Sequence, residues 1–313
     1  MRFRRLGVLA AMLLALSPLA LSLLALSGPA VSASAASARQ AQPVLTVSGA
    51  VSDPASYTLS ELQALPAETV TLPGGLDAAG VSLDALVTAA SPVLPAVKNA
   101  LLRVIVTATG RSGRPVSFAL GELDPNFGDH DALIVLSVNG RTLPGGPALV
   151  VPGDRLPLRA LPVVRHIEVG ITSPAVTAPP SPGALVIEHG TRQVVLSAAT
   201  LASLPQQTKT VTFLAGTGSQ THTETGPALA SVLRAAHLRP DLDTWVAAVG
   251  SDGYVATVTP AEAWVGARPL LISLTEDGTA LAAPRLVADG DIKGGRYVSG
   301  VYDLVVGHGA PAS

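Results

Sequence analysis

Chemistry in this chain has to come from a short list of side chains, because the most versatile one is missing. The 313 residues include no cysteine, which excludes thiol nucleophiles, thiolate metal ligands and disulfides. Oxygen and imidazole groups remain. Glu122, Asp124, Asp129, His130 and Asp131 fall within ten residues, a density of hard donors that suits a cation. Their spacing is not that of an EF-hand loop, which needs acids at alternate places and a closing Glu. The reading adopted is an acidic, solvated loop. In Thr221-His222-Thr223-Glu224, alternation can set imidazole and carboxylate on one strand face for a hydrolytic zinc. No His-Glu-x-x-His and no third ligand accompany them, so a polar loop is expected. There is no Gly-x-Ser-x-Gly for a nucleophile elbow. Gly216-Thr217-Gly218 is too short for a phosphate-binding loop and lacks its Lys. Gly294-Gly295-Arg296 is better defined, since such a turn can offer backbone N–H groups and a guanidinium to an oxyanion. A surface or ion-paired Arg296 is the alternative.

The elements that must position these groups are strand-rich. Ala132–Val138 is an apolar run long enough for a buried strand. Asn139-Gly140 then accepts the positive φ of a tight hairpin turn, and Pro144, Gly145, Gly146 and Pro147 force a loop. Ala148–Val151 returns as a strand and stops at Pro152-Gly153. Upstream, Thr58 and Glu61 make a capping box, Leu62 and Leu65 face inward, and Pro66 ends a short helix. The same order of landmarks occurs twice. Thr58-Leu59 answers to Ser197 with Leu201 and Leu204, and Gly80-Val-Ser-Leu83 to Gly226-Pro-Ala-Leu229. Asn139-Gly140 answers to Asp277-Gly278, and Gly153-Asp154 to Gly290-Asp291. Two copies of one unit are therefore expected, about 44–171 and 184–307. Each mixes several strands with two short helices, which defines an α+β fold.

Composition narrows the classes. Hydrophobic residues are 48% and charged residues 13%, enough for a packed core. Aromatics at 3% leave no stacking platform for nucleic acid. Residues 1–38 read as an export signal: Arg2, Arg4 and Arg5, an apolar stretch from Leu6 to Leu26, then small residues ending in Ala36-Ser37-Ala38. A retained anchor is the alternative, since the apolar run is long. Removing 1–38 takes three Arg and no acid from 20 basic and 22 acidic side chains, leaving 17 against 22. Such a surface argues against nucleic acid or anionic lipid as partner. The expected division is a signal peptide over 1–38, a first domain over 39–171, a Pro-rich linker over 172–183, a second domain over 184–307 and a tail over 308–313. The expected location is secreted or in the cell envelope, with no membrane contact after cleavage.

Both units resemble the oxidoreductase molybdopterin-binding domain, the catalytic fold of sulfite oxidases and of periplasmic methionine-sulfoxide reductase catalytic subunits. The resemblance rests on YTLSELQALP, GVSLDALV and VNGRTLPGGPALVVPGD in the first unit, and on SDGYVATVTPAE, EDGTAL and GGRYVSGVYDLVV in the second. It implies two tandem domains of that type. In catalytic members a Cys thiolate binds molybdenum just after the strand that precedes the Gly-led helix. Leu214 stands at that place in the second unit and Pro73 in the first, and neither can ligate a soft metal. The family holds pterin phosphate and substrate anion with late basic residues. Arg296 keeps such a place, whereas the first unit has only Arg159 and Arg165 nearby. The expected function is thus a non-redox binding module for a small anion or an extracytoplasmic protein, with a candidate anion pocket at Gly216, Thr217, Gly218, Gly294, Gly295 and Arg296. No catalytic or metal-binding residue and no cofactor are expected. The alternatives are a molybdopterin-dependent oxidoreductase with atypical ligation, which would retain that cofactor, and a structural surface module.

Overall fold

A computed structural model describes residues 42–175 and 181–311. The expected export signal and residues 176–180 of the Pro-rich stretch lie outside the described residues. The first half runs β1 (Leu45–Gly49), β2 (Ala55–Tyr57), α1 (Leu59–Ala64), β3 (Glu68–Leu72), β4 (Leu76–Ser82), α2 (Leu83–Ala89), β5 (Val104–Gly110), β6 (Pro115–Ala119), α3 (Leu120–Leu123), β7 (Leu133–Val138), β8 (Arg141–Thr142), β9 (Ala148–Val150) and β10 (Val164–Ile171). The second runs β11 (Leu185–His189), β12 (Arg192–Leu196), α4 (Ala198–Ser203), β13 (Gln206–Ala215), β14 (Gly218–Pro227), α5 (Leu229–Ala235), β15 (Thr244–Gly250), β16 (Val255–Val258), α6 (Ala261–Trp264), β17 (Leu270–Glu276), β18 (Thr279–Ala288) and β19 (Val301–His308). The fold is α+β.

The halves share one strand plan. In the first, a mixed sheet has the order β2-β1-β10-β5-β6; in the second, the order is β12-β11-β19-β15-β16. The counterparts β1–β10 and β11–β19 are the parallel pairs. A second, antiparallel sheet runs β3-β4-β7-β8 with β9 beside β7, and its counterpart runs β13-β14-β17-β18. Each half buries its two sheets against each other with the short helices between them. Leu62 of α1 and Leu86 of α2 meet Val106, Ile134 and Ile167 in the first; Leu201, Val232, Val246 and Ile272 do the same in the second. A helix of six or seven residues has little stability of its own, so burial of these leucines holds it in place.

Local chemistry sets the turns. Thr58 and Glu61 form the full capping box on α1. Asn139 and Gly140 adopt φ of 48° and 73° between β7 and β8, as a two-residue hairpin turn requires. Gly80 and Gly226, which precede α2 and α5, lie where a Cβ would collide with the carbonyls of Ile134 and Ile272 on the neighbouring strand. Glycine at both places permits that close approach. Among the described residues no helix is long and apolar enough to cross a membrane.

Candidate functional site

The most concentrated chemistry follows the strand that closes each hairpin. In the first half β9 leads into Gly153-Asp154, and a short 3-10 turn, Pro157–Arg159, then carries Arg159 inward. Its Nε donates to Asp154 Oδ2 at 2.9 Å and its Nη2 to Asp154 Oδ1 at 2.6 Å. Nη1 donates to Glu122 Oε1 at 2.7 Å. The second half repeats this with the same spacing. Gly290-Asp291 follows β18, and the 3-10 turn Gly294–Arg296 buries Arg296. Its Nε and Nη2 donate to Asp291 at 2.8 and 2.5 Å, and Nη1 donates to both oxygens of Glu262 at 2.9 and 2.7 Å. Arg159, Arg296, Glu122 and Glu262 are each 0% exposed.

The correspondence extends one shell further. His130 Nε2 lies 3.1 Å from Asp154 Oδ1, and Arg268 Nη2 donates to Asp291 Oδ1 at 3.1 Å. The backbone N–H of each donates to the carbonyl of its own glutamate, Glu122 or Glu262, at 3.0 Å. The residue before each, Asp129 or Ala267, has positive φ. Two Glu–Arg–Asp clusters therefore occupy equivalent places in the two halves.

The clusters meet across the boundary between the halves. Thr259 Oγ1 donates to Glu122 Oε2 at 3.3 Å. A Cβ on Gly121 of α3 would lie 3.0 Å from Cδ of Arg296, and one on Gly266 would lie 3.2 Å from Asp154 Oδ1. Each glycine makes room for the other half's ionic group. Ile292 N–H donates to the Phe127 carbonyl at 2.7 Å, and Arg155 N–H to that of Val265 at 3.0 Å. Burial pushes the Glu122 carboxyl up to about 8, with Glu262 adding to the rise and Arg159 opposing it. Burial also raises Asp291, against the pull of Arg296. Burial alone would raise Asp154 too, but hydrogen bonds from Arg159 and His130 outweigh it and hold that carboxyl below the usual range. Burial would lower both guanidinium groups, yet the carboxylates around them keep each above its ordinary value.

The predicted anion pocket is only half assembled. Gly216 and Thr217 form the turn of the β13–β14 hairpin and Gly218 opens β14. A Cβ at Gly216 or Gly218 would meet nothing within 4 Å, so the tip faces solvent. The structure does bring this hairpin to the 292–295 segment: Leu214 N–H donates to the Ile292 carbonyl at 2.8 Å, and Gly294 lies against the Phe213 ring. Arg296, however, points the other way. The expectation that its guanidinium faces an incoming anion is corrected, because every donor it uses is spent on Asp291 and Glu262. The ion-paired alternative is the one observed. Arg159 is its true counterpart, and the missed signal was the shared Gly-Asp-x-x-x-x-Arg spacing.

Two other expectations change. The Glu122–Asp131 segment is not a solvated loop: Glu122 is buried on α3 and His130 is buried beside Asp154. His222 and Glu224 lie on strand β14 rather than in a loop. His222 Nδ1 lies 2.9 Å from Asp277 Oδ2, while buried Glu224 accepts from Ser273 Oγ at 2.6 Å and Arg285 Nη1 at 2.9 Å. Among the described residues no three His, Asp or Glu converge as a metal-ion site. The places of the family's thiolate fall at the surface: Pro73 in the β3–β4 turn is exposed and Leu214 is 44% exposed. Neither carries a soft donor, and the arginines at the family's anion-binding end are already neutralised. These residues do not fit a molybdopterin centre.

No family model matches the chain, and no curated protein does. Among solved structures, the sulfane dehydrogenase SoxCD from Paracoccus pantotrophus is similar at 18% identity, with a TM-score of 0.32, over 82% of this chain and 77% of that one. The likeness is distant.

Proposed function

We propose that the chain is an exported, non-redox binding module for a protein partner, built from two tandem, diverged domains of the molybdopterin-oxidoreductase type. One observation carries this reading. Both arginines at the end of the fold where that family binds anions are 0% exposed and chelated by carboxylates. With two carboxylate partners and no exposed surface, each guanidinium is charge-compensated and out of reach of a soluble oxyanion. What reaches solvent near Gly216–Gly218 is backbone, hydroxyl and the apolar side chains of Leu214 and Ile292, 44% and 39% exposed, a surface better suited to another polypeptide than to a small anion. Export rests on the pattern of residues 1–38.

The test is elemental mass spectrometry for molybdenum on protein recovered from the exported fraction, with pterin fluorescence after oxidation. The expected result is neither signal above background. Stoichiometric molybdenum or pterin would overturn the reading and restore the oxidoreductase.

A further inference from the structure

The duplicated plan sets one place side by side in the two halves: the end of the core, where a parallel strand pair meets the helix packed over it. In the first half Gly49 ends β1, Ile171 ends β10 and Ser91 lies two residues past α2. In the second half these places hold His189 at the end of β11, His308 at the end of β19 and His237 two residues past α5. The registers fix the match: Gly49 pairs with Val169 and His189 with Val306, each partner two residues before the end of its strand. Ser91 and His237 share a left-handed φ, 56° and 62°. That backbone suits a histidine at 237, but it does not account for His189 or His308. Three of the chain's six histidines thus stand where the other copy has Gly, Ser and Ile.

The three rings line one cleft of about 320 Å³, at the low end of the range for small-ligand sites. Leu233 and Val306 of the core form its apolar wall with Leu238, and Arg239 stands at its exposed rim. Among the described residues the rings of His189 and His237 have no hydrogen-bond partner and Arg239 has no ion pair. His308 is held in place: its Nδ1 lies 3.2 Å from Asp243 Oδ1 and 3.3 Å from Thr244 Oγ1, and its ring stands edge-on to His189 with centroids 5.5 Å apart. The acid in contact with these rings is therefore already engaged.

The rings surround a space and do not converge on a point, and no three His, Asp or Glu among the described residues form a metal-ion site. Donors spread around an apolar wall suit a molecule with a polar head and an apolar body. The head is set by the donors. A guanidinium takes a carboxylate through two parallel hydrogen bonds, and a neutral imidazole can turn one N–H to the same group. We infer that this cleft binds a small carboxylic acid as its anion, the carboxylate held by Arg239, His189 and His237 and the apolar body laid on Leu233, Leu238 and Val306. His308 positions His189. The first half, with Gly49, Ser91 and Ile171 at these places, lacks the site. The cleft is separate from the Gly216–Gly218 surface, so the inference stands whatever the fate of the molybdenum and partner readings.

The test is a titration of the exported protein with benzoate, hexanoate and their neutral amides, followed by backbone amide NMR shifts. Both acids should bind with a Kd near or below about 1 mM, with the shifts centred on His189, His237 and Leu238. Each amide should bind about tenfold or more weakly, for want of a charge-assisted hydrogen bond. Arg239→Gln, at an exposed position, should weaken benzoate by a similar factor. So should His189→Gly, His237→Ser and His308→Ile combined, which install the residues that the first half already carries on this backbone. Circular dichroism checks that both variants fold, and Arg239→Gln decides the matter if the triple variant does not. Acids and amides that bind alike, shifts centred elsewhere, no binding of either acid, or a folded Arg239→Gln protein with parental affinity overturns the inference.

Discussion

Arg159 and Arg296 show how much one side chain's burial decides. A guanidinium in the interior stabilises only while its carboxylates stand opposite it; removing one partner strands the others in a low-dielectric site. Arg296→Met keeps most of the volume but leaves Asp291 and Glu262 without compensation. The expected cost is roughly 3–5 kcal/mol in urea unfolding. Adding Glu262→Gln should recover part of it, so the double variant loses less than the sum of the singles. Additive losses would mean the two groups do not act together. Glu122 adds a pH dependence of defined sign. Its carboxyl is raised from 4.5 to about 8 in the folded chain, so the fold holds its proton more tightly than the unfolded chain does. That contribution is complete below about pH 4.5 and is lost as pH climbs through about 8. Asp84 and Asp303, raised by burial to about 6 and about 7, act in the same direction in any Glu122 variant. Glu122→Gln should therefore gain steadily on the parent from about pH 5 to about pH 8.5. A stability difference that does not change with pH would refute the shift.

At the scale of elements, the parts written in local chemistry were legible in the sequence and the parts written in burial were not. The Thr58–Glu61 capping box, the Asn139-Gly140 turn and the Gly80 and Gly226 landmarks each depend on a few adjacent residues, and each occurs as expected. The repeated order of landmarks likewise matches the repeated strand order. Glu122 and Arg296 were misread because sequence shows a charge but not which way it faces. Glu122 sits among Asp124, Asp129 and Asp131, which looks like a wet loop, yet α3 turns it into the interior. Gly294-Gly295 looks like an open anion nest, yet those glycines serve packing, with Gly295 against Phe127. Gly121 makes the same point inside a helix. Ala normally improves a helix interior over Gly by about 1 kcal/mol. Here an added methyl meets Leu102 and the Arg296 stem, and overpacking costs typically about 1–3 kcal/mol. The second effect wins, so Gly121→Ala should lower the urea midpoint. An increase would show that Arg296 can yield.

The two halves complete one another's cores, and this governs how the whole molecule unfolds. Leu242, Ala261 and Val265 of the second half lie in the first half's core, while Leu102 and Phe127 of the first lie in the second's. Polar contacts run the same way: Asn99 Nδ2 donates to Tyr254 Oη at 2.9 Å, Ser117 N–H to the Leu242 carbonyl at 3.0 Å, and the hydroxyls of Thr172 and Thr257 lie 3.1 Å apart. Separating the halves would expose these apolar side chains and strip the cross-boundary partners from two buried ionic clusters. Each half is thus far less stable alone than the usual tandem pair on a Pro-rich tether. Both tryptophans, Trp245 and Trp264, belong to the second half, and Trp245 also packs with Ile105 and Ala119 of the first, so their fluorescence reports the second half and its boundary while far-ultraviolet circular dichroism reports both halves throughout. In urea the two signals should fall along one curve, as a single cooperative unit requires. Arg296→Met should move both curves together, although the substitution lies in one half. A dichroism transition that splits in two, or a first half that keeps its midpoint in that variant, would mean the boundary contacts are too weak to couple the domains.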